Sequence, residues 1–192
     1  MPPRSEEQFE AIRQERKESL KASALKLFAN KGFTATSVMD IAKDAGVSKG
    51  LLYNYYTNKT ELVRDIIKAG FQTALQEMDF DFTQKLDEER MKELILKNFA
   101  LIESNTDFWK LYIAVITQPA VAEMVMEEIF KILEPFFTIV ATYYSEKGVK
   151  NPMAYAYLLG AIFDGVGIDY MFDPEHYPLN DIKEIIIEKF IA

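Results

Sequence analysis

The side chains that could do chemistry are unevenly distributed along the 192 residues. Cysteine is absent, which removes thiol nucleophiles, disulfides and thiolate metal sites. The single histidine, His176, falls in a DPEHYP segment that reads as a surface turn, and the chain has no second histidine to join it in a metal site. Neither a phosphate-cradling glycine loop nor a pair of carboxylates at a recognisable spacing is present. An enzyme is the weakest reading, and neither a metal nor a cofactor is expected. What remains is one stretch, TATSVMDIAKDAGVSKGLLYNYYTNKTEL from Thr34 to Leu62. Its outward residues Lys49, Gly50, Leu51, Tyr53 and Asn54 offer an ammonium, a phenol, a carboxamide, an apolar contact and a bare backbone.

The elements that must position these groups follow from their neighbours. Ser37 can cap a helix with Asp40 three positions on, and Val38, Ile41, Ala42 and Ala45 recur at helical spacing before Gly46 stops it. Gly46 suits the left-handed conformation in which a chain leaves a helix, and Ser48 caps a second short helix. Leu52 and Tyr55 are expected to face the first helix. Two short helices meeting at a tight corner are the layout of a helix-turn-helix, whose second helix enters the DNA major groove.

From Ala24 to about Val63 the chain closely resembles the DNA-binding region of the TetR family of bacterial transcriptional regulators. The resemblance is carried by F-x-x-K-G-F from Phe28 to Phe33, by I-A-x-x-A-G-V-S-K-G from Ile41 to Gly50 and by L-Y-x-Y-Y-x-x-K from Leu52 to Lys59. It implies DNA contact by Ser37, Ser48, Lys49, Gly50, Leu51, Tyr53, Asn54, Tyr55 and Lys59. The chemistry of most of these residues agrees. Lys49 can donate to guanine O6 and N7 or to phosphate, Asn54 can pair bidentately with adenine N6 and N7, and Leu51 can pack on a thymine methyl. The hydroxyls of Ser37, Ser48, Tyr53 and Tyr55 and the Lys59 ammonium suit phosphate, and position rather than specify. Many relatives carry a small hydroxyl residue where Leu51 stands, so one hydrogen bond of the usual pattern is missing.

Charge follows the same division. Residues 1–68 carry 12 Lys/Arg and 9 Asp/Glu, a net of +3, and the remainder carries 10 and 21, a net of −11, within an overall −8. A basic head on an acidic body would face phosphate with the head and discourage wrapping by the body.

Around the head the pattern is helical throughout. Residues 1–8 read as a disordered lead, and Phe9–Asn30 as a first helix. Asn58 is expected to cap a linking helix to about Met78, with Glu61 forming a capping box. After a break at 79–83, helices follow from Leu86 to Ile102, about 107–117, about 120–146 with a kink or break at Pro135, Pro152 to about Met171, and from Asn180 through Phe190. The expected fold is all-α with about nine helices. A three-helix DNA-binding head spans 1–62, and a ligand-binding and dimerisation bundle spans 63–192.

Two surfaces are expected in the body. Ala154, Leu158, Ala161, Ile162, Gly165 and Ile168 mix small and branched residues that let helices approach closely, and the resemblance implies a homodimer built there. Phe99, Glu103, Trp109, Tyr112, Phe130 and Phe163 are candidates to line a pocket for an unidentified small-molecule effector, apolar or aromatic in character. Glu103, with Asp107 and Asp164, allows a cationic or hydrogen-bonding ligand. No apolar run is long enough to span a bilayer, and a cytoplasmic protein without a membrane partner is expected. The leading function is a ligand-responsive regulator, a repressor bound as a dimer to a palindromic DNA operator and released by its effector. The alternative is a helical small-molecule or lipid carrier that no longer binds DNA.

Overall fold

The computed structural model describes residues Glu6–Ile191, and these form nine α-helices and no strand, in agreement with the all-α expectation. In chain order they are α1 (Glu6–Lys31), α2 (Val38–Asp44), α3 (Lys49–Tyr53), α4 (Lys59–Met78), α5 (Glu88–Ser104), α6 (Thr106–Ile116), α7 (Pro119–Glu146), α8 (Pro152–Phe172) and α9 (Leu179–Ile191). Several boundaries differ from the sequence reading for local reasons. The first helix already includes Glu6, the first described residue. The expected disordered lead therefore does not include 6–8, and its residues 1–5 lie outside the described chain. α5 starts at Glu88 because Asp87 caps it, accepting from the Arg90 N–H at 2.9 Å, while Leu86 is buried just ahead. α7 continues through Pro135, so of the expected kink or break the break does not occur. Ile129 before the proline and Val140 after it are both buried, so packing on each side outweighs the one backbone hydrogen bond that proline removes.

The chain divides into two compact units. The first comprises residues up to Gly70 together with Leu111–Met126. Here α1 packs on α2 and α2 on α3, with Leu20, Ala24, Phe28, Ile41, Leu52, Leu62 and Val63 almost wholly buried. The second comprises Phe71–Lys110 and Glu127 onward. In it α5 packs on α8 and α9, and α8 on α9, around a core that includes Met91, Ile95, Phe99, Val140, Leu159 and Phe163. The chain therefore passes between the units within α4, α6 and α7.

Candidate nucleic-acid interface

Local hydrogen bonds build the helix-turn-helix. The Ser37 hydroxyl accepts from the Asp40 N–H at 3.1 Å while the Asp40 carboxylate accepts from the Ser37 N–H at 3.0 Å, the complete capping box. The Ser37 hydroxyl also donates to Asp40 Oδ2, and this bond together with the one from the Ser37 N–H holds the Asp40 carboxyl below its ordinary range. At the other end Gly46 adopts φ 66°, its N–H donates to Lys43 O, and the Val47 N–H donates back to Ala42 O at 2.9 Å. This is a Schellman closure, and it requires the left-handed conformation that glycine tolerates best. Ser48 then caps α3 by accepting from the Leu51 N–H at 3.1 Å.

Contacts distant in sequence hold α3 in place. Leu52 is buried beneath it, and so is Tyr56 three residues past its end. The Tyr56 hydroxyl donates to Asp65 Oδ2 at 2.7 Å, and the Lys17 ammonium meets the same oxygen at 3.0 Å. One carboxylate on α4 thus ties the exit of α3 to α1. Burial raises the Tyr56 phenol far above its usual range. Burial also pushes Asp65 up, but the hydrogen bonds from Tyr56 and Lys17 outweigh it and leave the carboxyl lowered. The expectation that Tyr55 faces the first helix is corrected: Tyr55 is half-buried, and Tyr56 takes the core position. The helix ends at Tyr53, so the following turn resets the facing. At the start of α4, Asn58 caps by accepting from the Glu61 N–H at 2.9 Å, as expected. The reciprocal half of the expected box is displaced, because the Glu61 carboxylate accepts from the N–H and hydroxyl of Thr57, each at 2.7 Å, and not from Asn58.

The expected contact residues separate into two groups. Ser48, Lys49, Gly50, Tyr53 and Asn54 are exposed, with the Lys49 ammonium 5.8 Å from the Tyr53 ring centre, and Leu51 and Tyr55 are half-exposed. The Ser48 hydroxyl accepts its cap bond and keeps its proton to donate. Ser37 and Lys59 are engaged internally. The Ser37 hydroxyl donates to Asp40 Oδ2 at 2.7 Å as well as accepting from the backbone. The Lys59 ammonium donates to the carbonyls of Phe33, Thr34 and Thr36 and lies 4.4 Å from the Phe33 ring centre, with burial lowering its pKa.

In the second unit Phe99 and Phe163 are core residues in edge-to-face contact at 5.5 Å. Phe130 is half-exposed on α7, and Trp109 donates its indole N–H to Leu101 O at 3.1 Å. Tyr112 belongs to the first unit, where its hydroxyl donates to Ile67 O. Glu103 is paired with Lys183 at 2.7 Å, and Asp107 and Asp164 lie at the surface, so the cationic-ligand expectation is withdrawn. A cleft of about 660 Å³ is present in this unit, walled by Phe82, Leu86, Pro135 and Ile139 with Lys85, Thr138 and Glu146, and none of the six candidate residues lines it. On α8 the expected dimer residues Ala154, Leu158, Ala161 and Gly165 are all exposed, and Ile162 and Ile168 are half-exposed.

A capped two-helix corner presenting Lys49, Tyr53 and Asn54 to solvent, on an all-helical chain, defines a helix-turn-helix DNA-binding regulator. Residues 20–66 match the family described as bacterial regulatory proteins, tetR family. Over 88% of its length the chain is 22% identical to 91% of the fatty acid metabolism regulator protein of Bacillus subtilis. Over 42% of its length it is 34% identical to 40% of the transcriptional repressor KstR2 of Mycobacterium tuberculosis. Its fold matches the transcriptional regulator FadR from Bacillus subtilis, solved in complex with stearoyl-CoA, with a TM-score of 0.68 and 20% identity over 91% of this chain and 97% of that one. Residues 20–66 therefore carry the DNA-binding region of the TetR family, and the chain is similar along most of its length to transcriptional regulators that have it.

Sequence reasoning missed the tie that joins Tyr56 to Asp65 and Lys17. The i, i+4 spacing of Leu52 and Tyr56 was the available signal for Tyr56. Nothing local marks the other two.

Proposed function

We propose that the protein is a repressor that binds a palindromic operator as a homodimer in the cytoplasm and leaves it when an apolar-bodied effector binds. The observation that carries operator reading is the exposed set Lys49, Tyr53 and Asn54 on a helix whose cap, core contact and exit are all internally satisfied. Lys49 reads guanine or phosphate, Asn54 reads adenine, Leu51 packs on a thymine methyl, and Ser48, Tyr53 and Tyr55 fix the backbone. Ser37 and Lys59 act by holding the turn, since their polar atoms are already bonded within the protein. In functional terms residues 1–62 are the DNA-binding domain and 63–192 the effector-binding and dimerisation domain.

Dimerisation rests on α8, which is apolar on both faces. Ala156, Leu159, Phe163 and Gly167 point inward, while Ala154, Leu158, Ala161 and Gly165 form an outward stripe at steps of four, three and four. A Cβ added at Gly165 meets nothing, so the protomer itself does not require a glycine there. A closely approaching partner helix does, and two recognition helices one duplex turn apart need such a partner. For the effector, the likeness to the fatty acid metabolism regulator spans most of both chains, and Phe82, Leu86, Pro135 and Ile139, set among polar residues in the second unit's cleft, offer contacts to an acyl chain. Differential affinity of the effector for the two states of the dimer drives release.

The test is selection of bacterial genomic fragments by the purified protein at two salt concentrations, followed by competition with stearoyl-CoA. A palindromic motif with steep salt dependence is expected, and the thioester should weaken retention. Asn54→Ala should relax one base pair of the motif by roughly 1–3 kcal/mol. An unchanged motif profile for that variant removes Asn54 as a reader, and unaffected retention removes the acyl thioester as effector.

A further inference from the structure

The turn that launches α2 is gripped from two sides. Phe33 is its buried apolar residue, following Gly32 at φ 86°. The Phe33 carbonyl accepts from Lys59 at the start of α4, whereas the Phe33 N–H donates to Gln118 Oε1 at 2.7 Å. The carboxamide nitrogen of Gln118 donates to Phe28 O at 2.9 Å and to Ala114 O at 2.8 Å. One side chain therefore satisfies a carbonyl in the last turn of α1, an amide in the turn and a carbonyl of α6. Gln118 stands at the corner between α6 and α7, far outside the family-matched residues 20–66. From this corner the chain runs into the second unit both ways, along α6 through Lys110 and along α7 through Glu127.

We propose that Gln118 is a positioning residue for operator binding, the contact by which the α6–α7 corner sets the turn between α1 and α2. Both hydrogen-bonding groups of the Phe33 peptide are held by side chains, one from α4 and one from the corner. Releasing Gln118 leaves a buried N–H without its acceptor and gives the turn additional conformations. Only the gripped conformation holds α2 and α3 in the arrangement that fits the groove, so apparent affinity falls in proportion to that conformation's population. The phosphate contacts themselves are untouched.

This inference rests on the operator binding proposed above. The experiment compares the full-length wild type with Gln118→Leu by fluorescence anisotropy on the selected operator, at a temperature where thermal melts show both fully folded. Q118L should bind roughly tenfold more weakly. Its salt dependence should match the wild type's, and amide exchange should be faster across 33–41. Thr117→Ala, which removes one exposed hydroxyl bond at the same corner, should bind like the wild type. A folded Q118L with wild-type affinity overturns the inference, because a purely structural glutamine would lower the melting temperature and leave the folded protein's affinity alone. Should Q118L not fold, Gln118→Asn takes its place: it keeps a carboxamide at the corner but is one methylene shorter and withdraws the acceptor from Phe33, and undiminished affinity there overturns the inference equally. Failure of the wild type to retain any operator refutes the DNA-binding reading itself, a result distinct from equal binding by wild type and variant.

Discussion

Gly70 on α4 lies beneath the ring of Tyr112, and replacing it by alanine sets two effects of known sign against each other. A Cβ on Gly70 would come within 2.9 Å of Tyr112 Cζ and 3.0 Å of Cδ2, with Cε2 closer still. Tyr112 is only 1% exposed and its hydroxyl is bonded to Ile67 O, so the ring has no free direction in which to yield. Overpacking of this kind costs about 1–3 kcal/mol, and a strained or broken Tyr112 hydrogen bond adds about 1. Against this, alanine is favoured over glycine inside a helix by about 1 kcal/mol. The net is a destabilisation of roughly 1–3 kcal/mol, or a melting temperature lower by several degrees for a chain of this size. Thermal and urea unfolding of G70A measure it. In the Tyr112→Ala background the steric term vanishes while the helix preference remains, so the same substitution should become stabilising by about 0.5–1 kcal/mol. A G70A protein as stable as the wild type, or no change of sign in the double variant, would refute the reasoning.

Two further outcomes follow from the same kind of contact. Asp65 has a lowered carboxyl pKa, so its contribution to stability is fully present above the ordinary value near 3.9 and is lost as pH falls through the folded value. Asp65→Asn should therefore flatten the acid limb of the stability profile, and should cost roughly 1 kcal/mol at neutral pH after allowing for a side chain that is 30% exposed; an acid limb identical to the wild type's counts against the Tyr56–Asp65–Lys17 tie. Leu158 is 51% exposed on the outward stripe of α8, so Leu158→Asp should leave the protomer folded while shifting it to a monomer in sedimentation and weakening operator retention; an unchanged mass would remove this stripe from the dimer interface.

The sequence by itself determined whatever depends on neighbours within about five positions. The Ser37–Asp40 box, the Gly46 closure and the Ser48 cap are hydrogen-bonded rings that close between residues three to five apart, so residue types at fixed spacing were sufficient to place α2 and α3. The apolar period likewise placed the nine helices. Only the tertiary structure decided which polar groups remained free to act. Ser37 and Lys59 look like phosphate ligands in the chain, and both are engaged, one by its own capping box and the other by three carbonyls some 25 residues away. Tyr56 displaced Tyr55 from the core because its hydroxyl finds Asp65, whose carboxylate also holds Lys17. Phe99 and Phe163 became core, and Gln118, unmarked by any motif, came to hold Phe28 and Phe33 across 90 and 85 residues. Such partners meet only when helices pack, and packing depends on the shapes of whole faces, to which no short stretch of sequence gives access.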